Sequence, residues 1–429
     1  MRRLLLVSPH FPPVNAPDMY RAFTALPLLR QLGWEPTVLC VDARDVAAPR
    51  DERLAALIPA DVRVEACRAW PLALTRLVGM RTLSWRAWRS LDRAGSRLIG
   101  ETRPDLVLFT TTQYPLVSLG PRWLRKFGVP YVVDLQDPWL TDYYSRPGSP
   151  RPPGGWKYAI AHALASRLEP AAFGPAAGFV SVSPDYLSAL AARYPWFPAK
   201  PQATIPFGVD EREFAAAVST AAPAFRREPG RVHLVSVGAA GPIMAPALTA
   251  LFAQLRALRT TSPSLANSLK LHFIGTSYAP EGLARQSVMP IASAHGVGDL
   301  VEEATGRLPW HVAQSTLRAA DAIIVLTSDE RSYTPSKLAA CFLAGRPCLI
   351  VASPEAGAAS VNADLGMGMR LDPSGSTPTA LGDFVSDIGR PDPEWPRRRN
   401  EQRFSSHYTA SARTRELADF LERVLLGPA

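Results

Sequence analysis

The chain has 429 residues, 47% of them hydrophobic and 20% charged, which is long enough for two domains that each bury a core. Its net charge of +9 rests almost wholly on arginine, since lysine occurs only at Lys126, Lys157, Lys200, Lys270 and Lys337. This balance excludes a disordered chain, and no apolar run approaches the ~18 residues that span a bilayer.

The start, MRRLLLVSPHF, is too short in its apolar part for a secretory segment and reads as a first strand in a cytoplasmic protein. A helical stretch MYRAFTALPLLRQLGW and a second apolar run, EPTVLCVDA, complete a βαβ unit. Further short apolar strands follow at 105–111, 130–137 and 178–184, with helical patterns between them. Such alternation predicts a parallel sheet covered on both faces. The proline- and glycine-rich stretch at 145–155 reads as a loop.

After IPFGVDEREF the pattern lapses into small residues, which predicts a first domain over 1–214 and a linker over 215–230. A second strand series, RVHLVSVG, LKLHFIG, DAIIVLT and RPCLIVA, predicts a domain over 231–403 and a closing helix over 404–429. The expected architecture is α/β, two Rossmann-like doubly wound parallel-sheet domains facing across a cleft. Ligands of such sheets bind beyond the carboxyl ends of the strands.

Cys40, Cys67, Cys341 and Cys348 form no CxxC pair and have no histidine at ligand spacing, so they read as reduced thiols, with no metal site. The stretch 68–103 carries eight arginines against Asp92 and Glu101. On a helix from about Ser84, Trp85, Trp88, Leu91 and Leu98 share one face, while Arg86, Arg89, Arg93 and Arg97 share another. That pattern suits peripheral contact with an anionic membrane as well as it suits packing on the domain itself. No nucleic-acid reader motif accompanies it.

Lys337, at the start of the helical run SKLAACFLAG, is the candidate for gripping a diphosphate, with Ser332, Tyr333, Thr334 and Ser336 before it. Gly238, Gly241 and Gly275 end strands where small residues admit a ligand to the backbone. Asp329 and Glu330 end another strand and are candidate ligand-contacting or catalytic carboxylates. Arg307, Trp310 and His311 follow Gly306 and are candidates for stacking on a planar ring. In the first half, His10 and Asp137 end strands and are candidate acid–base or orienting groups. Asn15, Arg21 and Thr112 join them as acceptor contacts, with Asp18 and Arg21 also able to pair with each other.

The order of SPHFPP, VVDLQDPW, FVSVSPDYLSAL, IPFGVDEREF, GRLPWHVAQSTLRAADAIIVLT and TPSKLAACFLAGRPCLIV resembles the retaining family 4 glycosyltransferases of the GT-B fold. The resemblance implies a donor-binding second domain, a glycan or lipid-linked acceptor, retention of configuration, and no metal or cofactor beyond the nucleotide-sugar co-substrate. It implies a role in cell-surface polysaccharide or glycolipid synthesis, at the inner face of a membrane. Two departures stand out. Where the family carries a pair of glutamates, this chain has Ser332 and Ala340. Where it carries an arginine and a lysine after the first strand of the second domain, this chain has Gly238-Ala239-Ala240-Gly241-Pro242. A non-catalytic nucleotide-sugar-binding or scaffold protein is therefore the alternative expectation.

Overall fold

A computed structural model describes residues 1–76, 82–141, 144, 152, 155–277, 279, 283–328 and 337–427. Asp329, Glu330, Ser332, Tyr333, Thr334 and Ser336 lie outside the described residues. The chain forms two compact units, Met1–Gly208 with Ala410–Ala429, and Val209–Thr409.

The first unit holds β1 (Arg2–Val7), β2 (Trp34–Val41), β3 (Arg63–Cys67), β4 (Leu106–Thr110), β5 (Tyr131–Leu135), β6 (Gly178–Ser181) and β7 (Gln202–Thr204). They form one parallel sheet in the order β3-β2-β1-β4-β5-β6-β7. Side chains alternate across a strand, so β1 sends Leu5 and Val7 into one apolar cluster and Leu4 and Leu6 into the other. Helices Leu83–Thr102, Leu119–Phe127 and Trp156–Phe173 cover the first face through Leu91, Leu98, Trp123 and Phe173. Helix Tyr20–Leu29 and the terminal helix Ala410–Leu426 cover the second through Leu26, Leu417, Phe420 and Leu421.

The second unit holds β8 (Val232–Val237), β9 (Leu269–Ile274), β10 (Val301–Ala304), β11 (Ala322–Leu326), β12 (Cys348–Val351) and β13 (Gly368–Leu371), ordered β10-β9-β8-β11-β12-β13. The connections leave the first strand of each unit in one direction and its fourth in the other. Each sheet therefore has a switch point, at β1/β4 and at β8/β11, where open α/β sheets bind ligands.

The stretch expected to link the domains is instead structured. The chain passes between units at Gly208 and Val209, and helix Glu211–Thr220 follows within the second unit. Asp210 caps it by accepting the Arg212 N–H at 2.8 Å, and Phe214 and Ala217 turn inward. Alanine-rich sequence favours helix once one face can be buried. Residues 404–409 likewise stay with the second unit, and only the helix from Ala410 returns to the first.

The basic helix also differs from expectation. Its apolar residues Leu91 and Leu98 are buried in the core of their own unit, and the Trp88 indole donates to Ser118 Oγ at 2.8 Å. Arg86, expected on an exposed basic face, is buried and donates to the carbonyls of Trp70 and Asp45 at 2.8 and 2.9 Å. Arg97 pairs with Glu65 and Glu101. Arg89 and Arg93 alone of the four stand exposed without a carboxylate partner among the described residues.

A buried histidine pair in the second unit had no signal in the sequence. The Glu228 N–H donates to His233 Nε2 at 2.9 Å, so His233 carries its proton on Nδ1 and donates it to His272 Nε2, also at 2.9 Å. His272 Nδ1 then faces Glu302 at 3.1 Å, beside Lys270 and under the Phe225 ring. Burial foremost, with His233 and Lys270 adding to it, pushes His272 below its ordinary value of 6.5, against the opposing pull of Glu302. A depressed folded value means that stability is complete above the unfolded value and is lost as pH falls through the folded one. As pH falls below about 6.5, wild type should therefore lose stability relative to His272→Gln, read as the difference between their thermal melts.

Candidate functional site

In the second unit, three loops converge at the carboxyl ends of β8, β9 and β10. Gly238 and Gly275 hold φ values of +112° and +78°, where a side chain is strained. A Cβ placed on Gly275 would lie 3.7 Å from Gly238 N and 3.8 Å from both Gly306 O and Leu308 N. One placed on Gly238 would lie 3.8 Å from Lys337 Nζ. Gly241 and Gly306 face open space. The two loops are fastened together by Gly238 N–H to Ile274 O at 2.8 Å, Ala240 N–H to Thr276 O at 3.0 Å, and Ser287 Oγ to Ala240 O at 2.5 Å.

Glu303, which sequence reasoning passed over, anchors this arrangement. Its carboxylate accepts the Thr276 hydroxyl at 2.7 Å and the N–H groups of Ser287, Val288 and Met289 at 3.0, 3.0 and 2.9 Å. Among the described residues, neither Ala239 nor Gly241 donates its N–H to another group. The cradle thus presents backbone N–H groups and an open surface.

Lys337 is the cation beside it. Its Nζ donates to Val237 O at 2.8 Å, and burial pushes its ammonium below the ordinary lysine value. The helix begins at Leu338, later than expected, and Lys337 is its cap residue. Its inner face answers the question of the missing acid. Ala339, Ala340 and Cys341 lie in an apolar cluster with Ile323, Val325 and Phe342, and Ala340 is 8% exposed. Arg307, Trp310 and His311 sit half-buried in and after the loop beyond β10, on the side of Gly275 where Gly306 and Leu308 approach it.

In the first unit, His10 follows β1 and Thr110–Thr112 end or follow β4. His10 Nδ1 lies 2.7 Å from Asp18 Oδ1. The other Asp18 oxygen accepts the Thr112 N–H at 3.2 Å and its hydroxyl at 3.1 Å. Burial raises the Asp18 carboxyl, but hydrogen bonds from His10 and Thr112 outweigh it and hold it below the ordinary value. An ionised Asp18 fixes the His10 proton on Nδ1 and leaves Nε2 as the basic nitrogen. The Asn15 side chain is buried, and its Oδ1 has no partner among the described residues.

Two first-unit expectations are corrected. Asp18 and Arg21 do not pair. Arg21 is not an acceptor contact but is buried, with Nε 2.7 Å from Asp134 Oδ2 and a terminal nitrogen 2.5 Å from Ile205 O. Asp134 also accepts Thr110 Oγ1 at 2.9 Å and Gln136 Nε2 at 2.8 Å, so it was the partner that sequence reasoning missed. Its place inside the apolar run of β5 was the available signal, because a buried acid needs a paired cation. Asp137, beyond the end of β5, is exposed, and its backbone exchanges hydrogen bonds with the Tyr114 hydroxyl.

Two doubly wound units in series, each with small or polar groups at its switch point, define the class: GT-B. Comparison agrees over the full length. Sucrose-phosphate synthase of Thermosynechococcus elongatus superposes with a TM-score of 0.65 at 14% identity, covering 99% of this chain and 100% of that one. A UDP-forming trehalose-phosphate synthase of Burkholderia xenovorans gives 0.61 at 14%, covering 99% of each. HepE of Anabaena gives 0.58 at 13%, covering 98% and 100%. No curated protein matches the chain in sequence. Residues 26–208 match the glycosyl transferase 4-like domain. The chain has the fold of the GT-B glycosyltransferases.

Proposed function

We propose that this protein transfers a sugar from a nucleotide-sugar donor to a glycan or lipid-linked acceptor of a cell-surface polysaccharide or glycolipid. The observation that carries the reading is the cradle of Gly238, Gly275 and Gly306 with Lys337 at its edge. Negative charge grows on the departing diphosphate, and preorganised N–H groups with a nearby ammonium stabilise it without reorganisation. Ala239 and Gly241 supply the N–H groups, and Lys337 supplies the charge. His10, held by Asp18, orients an acceptor hydroxyl through Nε2. Retention of configuration and independence of metal come to this reading from the family resemblance.

HepE was solved with UDP and glucose, and the trehalose-phosphate synthase is UDP-forming, which supports a nucleoside diphosphate as leaving group. Ala340 in the apolar core means that a ribose is held by other groups than the family's glutamate. That same observation favours the second reading, a scaffold that binds a nucleotide-sugar without turning it over.

One experiment separates them. A panel of sugar nucleotides is screened first by thermal shift and then for release of nucleoside diphosphate with glycan and lipid-linked acceptors. We expect stabilisation by one nucleoside diphosphate and acceptor-dependent release. Stabilisation without release supports the scaffold, and neither outcome across the panel rejects both.

A further inference from the structure

Strand β10 carries two adjacent glutamates, and alternation sends their side chains to opposite faces of the sheet. Glu302 meets Lys270 at 3.0 Å and His272 at 3.1 Å, on the side of the buried histidine pair. Glu303 is surrounded by uncharged donors instead. One of its oxygens accepts the Thr276 hydroxyl and the Ser287 N–H, and the other accepts the N–H groups of Val288 and Met289.

Thr276 and Ser287 in turn hold one residue of the loop after β8. Ala240 is 1% exposed, its N–H donates to Thr276 O at 3.0 Å, and its carbonyl accepts the Ser287 hydroxyl at 2.5 Å. The residue is therefore gripped from both sides by groups that Glu303 fixes. Its carbonyl and the Gly241 N–H belong to one planar trans peptide, so the two point in opposite directions. Holding the carbonyl on Ser287 aims the Gly241 N–H away from Ser287, as a donor without a partner among the described residues.

We propose that Glu303 is a positioning residue of the donor site: through Thr276 and Ser287 it sets the Ala240–Gly241 peptide, and with it the direction in which the Gly241 N–H meets a diphosphate. The inference rests on the donor reading given above. A backbone donor stabilises an anion well only when its direction is fixed before the ligand arrives. The loop Gly238-Ala239-Ala240-Gly241-Pro242 has no charged side chain to do this, so its geometry comes from what holds its backbone. Glu303 supplies that hold from the neighbouring edge strand.

Calorimetric titration of the full chain tests it, with UDP and with inorganic pyrophosphate, a diphosphate that needs no base. Glu303→Gln replaces one accepting oxygen by a donating amide, so two of the four donors lose their acceptor. It should weaken both ligands about tenfold. Ser287→Ala removes only the hydroxyl on Ala240 O and should weaken them in the same direction, with a melting temperature near that of wild type. The double variant should bind no worse than Glu303→Gln, because both substitutions act through one carbonyl. Glu302→Gln, on the other face, should bind as wild type does. In the free protein, the Ala240 amide should exchange with deuterium faster in Glu303→Gln than in wild type. Wild-type affinity in Glu303→Gln, unchanged exchange at Ala240, or fully additive losses in the double variant each overturn this inference and leave the donor reading standing. A lowered melting temperature with intact affinity does the same and makes Glu303 a structural residue. Failure of wild type to bind either ligand overturns the donor reading, and the positioning role with it.

Discussion

Replacing Lys337 by alanine should lower turnover by about 10²–10³-fold, the usual cost of losing one preorganised donor to a developing anion. The fold should tolerate the change. Lys337 offers the folded state one hydrogen bond, to Val237 O at 2.8 Å, while burial disfavours its ammonium. Truncation removes the bond and the desolvated charge together, so the melting temperature should move by only a few degrees. The binding readout is independent of turnover: stabilisation by the nucleoside diphosphate should shrink in Lys337→Ala. Full activity with full nucleotide stabilisation would remove Lys337 from the site. A collapse in melting temperature would make it a structural residue.

The largest effect on stability should come from Arg21→Ala. Arg21 and Asp134 are both buried, 2.7 Å apart, and the substitution leaves Asp134 as an uncompensated charge beneath the sheet's central strands. Breaking such a pair from one side typically costs about 3–5 kcal/mol. For a unit of this size that is a fall of about 10 °C in melting temperature. Thr110 and Gln136 still donate to Asp134, which keeps the loss toward the lower end. Removing both partners, as Arg21→Leu with Asp134→Leu, should recover much of it, because the cost lies in the orphaned charge. A single variant as stable as wild type, or a double variant no better than the single one, contradicts this account.

The strands legible in the sequence were the central ones. β1, β4, β5, β8, β11 and β12 are buried on both faces, so each must be a nearly continuous apolar run. β3, β7, β10 and β13 escaped notice. Arg63–Cys67 reads RVEAC with every position exposed or half-exposed, and Val301–Ala304 reads VEEA with only Val301 buried. An edge strand has a neighbour on one side only and borrows its register from it, so its own pattern is weak. The linker was misplaced for a related reason. Alanine and serine carry no periodic signal until Phe214 has an apolar cluster to face.

Glycine placement, the lysine at position 337 and the alternation of strand and helix were determined by the sequence itself, because backbone conformation and apolar burial are local demands. Pairing was not local. His10 meets Asp18 rather than leaving it to Arg21, and Arg21 crosses to Asp134, because β1, β4 and β5 lie side by side only once the sheet forms. Arg86, a surface charge by helical spacing, became buried because the carbonyls of Trp70 and Asp45 converge on its guanidinium. His233 and His272 stand in line because Val235 pairs with His272 across adjacent strands, which turns two unremarkable residues into one buried chain of hydrogen bonds. Each of these depends on which strands become neighbours, and that choice is made by the packing of the whole unit rather than by any segment within it.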